Sequence, residues 1–284
     1  MKINSPIGVF DSGLGGLTVA KRILDLLPRE SIAYVADQIH VPYGERSLDE
    51  IRGFALGISD FLIGRGAKLV VMAYNMSSAT ALDAAREIHL VTPIIGVIEA
   101  GARAALRASA GPIGVLATTG TVNTRAYTRA LAEMQVFEQA CPRFVPIVEQ
   151  GMCESREAES AAREYVTPLL RSGCRAIILG CTHYPYLARA IRKAVGPEIA
   201  IIDPAEETAR EAANILLDSG MLNPPHAEPV QAYFTTGAPD QFADLGSGFM
   251  GTPISSVNQI SWGLELRVIE WQDKTVERTI NSAL

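Results

Sequence analysis

Cys181 and His183 place a thiol and an imidazole two residues apart, directly after a short apolar run. A thiol has a reference pKa of about 8.5, and a nearby histidine or helix N-terminus lowers that pKa into the range of a working base or nucleophile. The ordinary alternative is an inert cysteine at the end of a strand. Cys181 is therefore a candidate for proton-transfer or nucleophilic chemistry.

An internal repeat identifies the position that corresponds to this cysteine. The stretch 66–75 aligns with 173–182 at an offset of 107 (181 − 74), and 7–12 aligns with 113–118 at an offset of 106 (113 − 7). In this alignment Tyr74 corresponds to Cys181. The repeat predicts two similar α/β halves and favours a functional interpretation of the cysteine.

Short apolar runs alternate with helix-like stretches along most of the chain. This alternation predicts an α/β protein with two pseudo-symmetric lobes, mainly parallel sheets and flanking helices. The predicted strands are 7–10, 32–35, 69–73, 94–97, 113–116, 144–148, 176–179 and 199–202. The predicted helices are 17–27, 48–63, 78–89, 125–134, 157–170 and 186–195.

Typical domain sizes divide the chain into three segments. We expect a first lobe over 1–95, a second lobe over 96–210 and a C-terminal segment over 211–284 that returns to the first lobe. Within that last segment, 211–217 is predicted as a helix and 230–235 as a strand.

Polar side chains gather where the predicted strands end. Ligands of open parallel sheets lie beyond the carboxyl ends of the strands, so these residues predict one active site in the cleft between the lobes. They are Asp11, Ser12, Asp37, Tyr74, Asn75, Thr118, Thr121, Glu149, Cys181, Thr182 and His183.

Two clusters of hydroxyl and amide groups, 75–78 and 118–121, occur at matching places in the two halves. Such donors at helix N-termini bind carboxylates without lysine or arginine, although ordinary N-capping explains either cluster equally well by itself. Together they favour a ligand with two carboxylates. The glycine-rich stretch 11–17 lacks G-x-G-x-x-G spacing and a Walker lysine, so it is not interpreted as a nucleotide loop. The stretch is interpreted as a tight turn whose glycines let a ligand approach the backbone, with Asp11 pointing into the cleft, or as a helix cap.

Composition narrows the class of protein. The chain has 284 residues, of which 48% are hydrophobic and 20% charged, and its net charge of −6 argues against nucleic acid or an anionic membrane as a partner. No secretory signal pattern or membrane-spanning apolar run is found, so a cytoplasmic location is expected. The four cysteines show no C-x-x-C spacing and only four histidines are available, so no metal site is predicted.

Five segments together resemble glutamate racemase, a member of the cofactor-independent aspartate/glutamate racemase superfamily. The resemblance runs over nearly the whole chain. The segments are 7–19, 41–44, 141–146, 179–185 and 205–209.

The resemblance implies interconversion of L- and D-glutamate by two thiols, without a cofactor, for the supply of peptidoglycan precursors. Cys181 would be the second-lobe thiol, on the face from which the proton of L-glutamate is taken, with His183 assisting it. Asp11 would assist in the first lobe, and Glu149 is a further candidate helper. A homodimer is compatible with this assignment. The implied substrate-binding residues are Ser12, Pro42, Tyr43, Gly44, Asn75, Thr118, Thr121 and Thr182.

The chain departs from the family at the first-lobe thiol. The family motif Ala-Cys-Asn-Thr is replaced by Ala73-Tyr74-Asn75-Met76. A phenol costs roughly 2 kcal/mol more than a thiol to ionise, and its ring needs more room. Met76 also removes a hydroxyl donor.

Three hypotheses follow from this replacement. The chain is a racemase that uses Tyr74 and Cys181, a one-thiol decarboxylase or isomerase of the same superfamily, or a non-catalytic glutamate-binding, regulatory or inactivated protein. The repeat predicts that Tyr74 and Cys181 face each other across the cleft, with Asp11 beside Tyr74 and His183 beside Cys181.

Overall fold

The computed structural model describes residues 2–263 and 269–271, which form two lobes, each built around its own sheet. The strands are β1 (Ile7–Asp11), β2 (Ile32–Ala36), β3 (Leu69–Met72), β4 (Ile94–Gly96), β5 (Ile113–Ala117), β6 (Val136–Ala140), β7 (Ala176–Gly180), β8 (Ala200–Ile202), β9 (Gln231–Thr235), β10 (Asn258–Trp262) and β11 (Ile269–Trp271). The first sheet has the order β11-β10-β9-β2-β1-β3-β4, and the second has the order β6-β5-β7-β8.

Helices flank both sheets. They are α1 (Leu17–Leu26), α2 (Leu48–Gly64), α3 (Asn75–Ile88), α4 (Val97–Ala108), α5 (Thr119–Thr124), α6 (Ala126–Ala130), α7 (Phe144–Glu149), α8 (Arg156–Arg171), α9 (Ala188–Val195), α10 (Pro204–Asp218) and α11 (Pro239–Met250). Short 3₁₀ turns cover Gln38–His40, Tyr43–Glu45 and Tyr184–Leu187.

The two sheets repeat one pairing scheme at their centres. β1 lies between β2 and β3, and β5 lies between β6 and β7, all in parallel. The register repeats as well, since Ile7 pairs with Leu69 in the first lobe and Ile113 pairs with Ala176 in the second. Consequently the residues that follow β3 and β7 occupy equivalent places at the ligand-binding edges of the two sheets.

The central strands are buried at every position because helices cover both faces of each sheet. α10 packs against both α1 and α4 and so runs between the lobes. A buried ion pair, Lys68 Nζ to Glu30 Oε2 at 2.6 Å, secures the start of β3. Lys68 also donates to the carbonyls of Ile3 and Met221, so the N-terminal segment and the turn after α10 are fixed to the same point.

The predicted strand 144–148 is wrong, because these residues form helix α7. A short apolar run does not distinguish a strand from a buried helix by periodicity alone. The strand of this unit is β6, whose residues are only partly buried and include polar side chains, so it lacks the continuous apolar signal. Glu149 therefore ends a helix rather than a strand.

Other element boundaries also differ from the prediction. Helix α4 begins at the residue where the strand 94–97 was expected to end, and α10 begins at Pro204 rather than at 211. Helix α11 was not predicted. The predicted boundary at 210 consequently falls inside a helix. Within the C-terminal segment β9 pairs in parallel with β2, whereas 264–268 and 272–284 lie outside the described residues.

Candidate active site

The carboxyl ends of β1 and β7 meet at the interface between the lobes. Asp11, the last residue of β1, accepts a hydrogen bond from Thr182 Oγ1 at 3.3 Å and from the Gly13 N–H at 2.7 Å. Thr18 Oγ1 donates to the Thr182 carbonyl at 3.3 Å. The segment 11–18 of the first lobe is thus hydrogen-bonded to Thr182, the residue that follows Cys181.

Close approach of the lobes depends on Gly15. A Cβ atom at this position would lie 2.2 Å from Thr182 Oγ1 and 2.7 Å from the His183 ring. Only a residue without a side chain fits between these groups. This glycine therefore makes room for the second lobe itself, whereas the sequence interpretation assigned the loop glycines to the approach of a ligand.

Cys181, His183 and Glu149 form a chain of polar contacts in the second lobe. The Cys181 Sγ atom, in a side chain that is only 5% exposed, lies 3.8 Å from His183 Nδ1. On the other side of the ring, His183 Nε2 lies 3.6 Å from Glu149 Oε1. The predicted assistance of Cys181 by His183 thus has a direct geometric basis.

The charge of His183 follows from its neighbours. Burial alone would lower the pKa of this imidazole, but hydrogen bonds to Cys181 and Glu149 outweigh burial and raise the pKa from 6.5 to about 10. The same contact with His183 lowers the pKa of Glu149. At neutral pH the ring is an imidazolium, and its Nδ1–H is placed to stabilise a thiolate at Cys181.

Asp11 is almost completely enclosed, with 2% of its surface exposed. Burial raises the pKa of this carboxyl, and the positive charge of His183 opposes that rise more than any other neighbour. The repeat predicted Asp11 beside Tyr74. The Asp11 carboxyl accepts a hydrogen bond from the Thr182 side chain of the second lobe, and its negative charge raises the pKa of both His183 and Tyr74.

Tyr74 directly precedes α3 and is partly buried. Burial raises the pKa of its phenol well above the ordinary value, and negative charge at Asp11 and Cys181 raises it further, while a hydrogen bond with the Ser12 side chain opposes the rise. A phenol in this environment stays neutral at physiological pH. It can donate a proton or a hydrogen bond, and it would have to lose its proton before it could act as a base.

The hydroxyl cluster of the second lobe has a partly structural role. Thr118 Oγ1 caps α5 by accepting from the Thr121 N–H at 3.3 Å, and the two hydroxyls lie 3.0 Å apart. The two hydroxyls can therefore serve both as the cap of α5 and as donors to a ligand. In the first lobe, α3 has no side-chain cap, and Asn75 at its start is 3% exposed.

The turn 42–44 reaches the second lobe. Gly44 Cα lies 3.4 Å from the position that a Cβ of Gly120 would take, and Met76 Sδ lies 3.2 Å from the same position. Met76, at the place of the family's threonine, is buried in this contact. A methionine here exchanges a hydrogen-bonding hydroxyl for an apolar contact between the lobes.

A completely buried carboxylate, Asp37, anchors that turn. Four side chains donate to it: Tyr43 Oη and His40 Nδ1 to Oδ2, and Thr236 Oγ1 and Trp262 Nε1 to Oδ1. Two donors precede α2 and two come from the C-terminal segment. The turn that carries Pro42, Tyr43 and Gly44 is thereby fixed to β10.

Sequence reasoning did not identify several residues that shape the site. Tyr127 donates to Asn75 Oδ1 at 2.9 Å, and Trp262 and Thr236 complete the Asp37 network. Phe249 of α11 lies edge to face with His183, with ring centroids 6.1 Å apart. No local pattern in the sequence identifies these residues, since each reaches a partner far away in the chain.

A small cavity of about 10 Å³ adjoins Cys181, which is room for about one water molecule. Asn75, Thr18 and Thr182 are among its lining residues. Within 2–263 and 269–271, no group of three or more His, Cys, Asp or Glu side chains could hold a metal ion. Over the same residues, no helix has the length and apolar character needed to span a membrane.

Comparisons with known proteins agree with this architecture. Residues 7–212 match the family model for Asp/Glu/hydantoin racemase. The chain is 44% identical over 262 residues to the glutamate racemase of Acidothermus cellulolyticus, which covers 90% of this chain and 99% of that protein. Many further relatives match as well.

Solved structures confirm the predicted two-lobed α/β fold. A glutamate racemase from Bacillus anthracis superposes with a TM-score of 0.85 at 39% identity, covering 93% of this chain and 98% of that one. The Francisella tularensis enzyme, solved in complex with D-glutamate, gives a TM-score of 0.84 at 34% identity and covers 91% of this chain and 98% of that one.

Proposed function

This chain belongs to the Asp/Glu/hydantoin racemase family, in its glutamate racemase branch, and we propose that it transfers protons at the Cα atom of glutamate. The observation that carries the proposal is the contact series Cys181–His183–Glu149 at the interface between the lobes. A thiolate stabilised by an imidazolium is a base that needs no cofactor.

The first half of the reaction follows from this series. Cys181 as a thiolate takes the Cα proton, so that the C–H bond breaks, an S–H bond forms, and the electron pair passes to Cα and the adjoining carboxylate. His183 supports the thiolate before the transfer, and Glu149 holds the ring in place. Asp11, joined to Thr182, fixes the loop that meets this face of the site.

The second half of the reaction depends on Tyr74. Its neutral phenol can give its proton to the opposite face of the carbanion, which forms the new C–H bond and leaves a phenolate. Burial and negative charge at Asp11 make that phenolate costly. The starting protonation state therefore favours removal of the proton from L-glutamate and disfavours removal from D-glutamate, which would require a phenolate base.

We propose that the remaining polar groups of the cleft bind glutamate. We assign its two carboxylates to neutral donors of the two lobes, in keeping with the negative net charge of the chain. The Francisella tularensis relative binds D-glutamate in its crystal. The proposed binding residues are Ser12, Pro42, Tyr43, Gly44, Asn75, Thr118, Thr121 and Thr182.

The cellular role follows from the reaction. D-glutamate produced in the cytoplasm would supply peptidoglycan precursors, and a homodimer is the proposed assembly. The cavity beside Cys181 is too small for glutamate, so we propose that the lobes separate to admit the substrate.

Deuterium exchange tests the proposal. In D₂O, L-glutamate should slowly acquire deuterium at Cα with little inversion, because Cys181 returns a deuteron more readily than Tyr74 gives up its own. D-glutamate should exchange far more slowly. The Cys181→Ala variant should abolish exchange, and Cys174→Ala, which changes a buried cysteine of the same lobe, should retain it. Aspartate serves as the substrate control.

Other outcomes favour other functions. Equal labelling of the two enantiomers would contradict the proposed difference between the Cys181 face and the Tyr74 face. Release of CO₂ from the substrate would favour a decarboxylase. Labelling of neither enantiomer, with calorimetry showing that glutamate binds, would favour a non-catalytic binding protein.

A further inference from the structure

A hydrogen bond between two buried side chains joins the lobes at the start of α3. Tyr127 Oη, on α6 of the second lobe, lies 2.9 Å from Asn75 Oδ1, on α3 of the first lobe. Tyr127 is fully buried and Asn75 is 3% exposed. Water therefore does not compete effectively for this bond, and an unpaired hydroxyl at this depth would be costly.

The bond determines which way the Asn75 amide is turned. Burial raises the pKa of the Tyr127 phenol well above its ordinary value, so the group is neutral and its O–H is a donor. A donor requires the oxygen limb of the amide as its partner, and the amide oxygen is thereby fixed on the side of Tyr127. The nitrogen limb, with its two N–H donors, then points away from Tyr127.

Asn75 also borders the small cavity that Cys181 and Thr182 line. Asn75 thus bonds to Tyr127 of the second lobe and also borders the cavity beside the proposed base, Cys181. An amide with its oxygen already engaged presents donors rather than an acceptor to an anionic ligand. A reversed amide would turn its oxygen toward the carboxylate and repel it.

We propose that Tyr127 is a positioning residue for substrate binding: its hydroxyl holds the Asn75 amide so that the N–H donors face a carboxylate of the substrate. The inference rests on the proposed function, because it assumes that the ligand is glutamate. Since the bond joins the two lobes, the donor is correctly aimed only when the lobes are together.

Calorimetric titration with L-glutamate tests the proposal on the Tyr127→Phe variant, which keeps the ring and removes the hydroxyl. We expect the dissociation constant to rise about tenfold, as for one lost oriented hydrogen bond. The deuterium exchange rate at saturating L-glutamate should change less than about twofold, because Cys181 and His183 are untouched. An unchanged dissociation constant would overturn the proposal.

A matched control and a double variant separate positioning from a general structural effect. Tyr165→Phe removes another buried second-lobe hydroxyl, one that accepts from the Arg143 N–H and Nε–H, and it should leave glutamate binding unchanged. In an Asn75→Ala background, Tyr127→Phe should cause no further loss of affinity. An equal loss in both backgrounds would show that Tyr127 acts independently of Asn75 and would reject the inference.

A second variant keeps the test decisive if Tyr127→Phe does not fold. Asn75→Asp preserves an oxygen acceptor for Tyr127 but replaces the N–H donors by a second, anionic oxygen. Affinity for L-glutamate should fall at least about tenfold, and wild-type affinity in this variant would overturn the proposal. Failure of the wild-type chain to bind glutamate would reject the proposed function and this inference together, whereas tight wild-type binding with normal variants rejects the inference alone.

Discussion

Tyr74 packs edge to face against Tyr43, with ring centroids 5.3 Å apart and the ring planes at 87°. Tyr43 in turn donates to the buried carboxylate of Asp37. An aromatic pair of this geometry contributes about 0.5–1.5 kcal/mol beyond its buried area. The phenol at the position of the family's first thiol is therefore held by the surrounding structure.

A cysteine at position 74 should allow proton transfer by a thiol on both faces of the Cα atom. We expect Tyr74→Cys to raise glutamate racemisation at least about a hundredfold, the lower end of what a positioned acid or base contributes. Circular dichroism of glutamate follows the reaction. Tyr74→Ala is the matched control, since it creates space without a thiol, and an equal gain in that variant would mean that crowding alone limits the enzyme.

The protonation of His183 should appear in the pH dependence of stability. Its pKa is raised in the folded state from 6.5 to about 10, so the stabilisation is complete below about pH 6.5 and is lost as the pH rises through about 10. The difference in unfolding free energy between the wild type and His183→Asn should therefore shrink between pH 6 and pH 10 in urea titrations.

Removal of the Glu149 charge should lower the pKa of His183 by a smaller amount than the whole shift. Its side chain is 62% exposed, so solvent screens its effect, and Glu149→Gln should lower the His183 pKa by less than about one unit. NMR titration of the imidazole measures this shift. A stability difference between the wild type and His183→Asn that stays constant from pH 6 to pH 10 would show that folding does not raise the pKa of His183.

A methyl group at Gly15 should disturb the junction of the lobes. Because a Cβ there meets Thr182 and His183, Gly15→Ala should reduce the exchange rate of L-glutamate by about a hundredfold through misplacement of the second lobe. The control is Gly53→Ala on α2, where a Cβ meets nothing within 4 Å. That variant should keep full exchange, and loss of activity in both variants would contradict the steric explanation.

Removal of one donor to Asp37 should destabilise the chain. Trp262→Phe leaves the buried carboxylate with one hydrogen bond fewer, and we expect the unfolding free energy to fall by about 1–3 kcal/mol in urea titrations. Gln259→Ala, an exposed change on the same strand, should alter it by less than about 0.5 kcal/mol. Equal stability of Trp262→Phe and the wild type would remove the proposed anchor of the turn 42–44.

The two-lobed α/β fold could be predicted because its central strands are continuous apolar runs that recur at one offset. β3 and β7 are buried at every residue, so both strands require apolar side chains throughout, and this requirement makes the repeat visible in the sequence. The same argument failed for β6, an edge strand with partly buried polar residues, and for the apolar run that became α7. The family assignment is confirmed by its relatives, while the roles of the site residues remain proposals.

The hydrogen bonds that hold the site residues in place could not be predicted, because they join distant parts of the chain. Tyr127 and Asn75 are 52 residues apart, and Trp262 and Asp37 are 225 apart. Neither pair has a local signature, since a buried tyrosine or tryptophan near an apolar stretch is typical of any core. Strand-end positions do indicate where ligands bind, but not which side chains hold the binding groups in place.

The strand order of the first sheet has a consequence for how the protein is made. The outer edge of β2 pairs with β9, whereas β5 to β8 are contiguous in the chain. As the polypeptide leaves the ribosome, the second lobe is complete before the partner of β2 has been synthesised. Until the C-terminal segment that carries β9 has been made, the first lobe therefore keeps an open edge of unpaired backbone groups at β2.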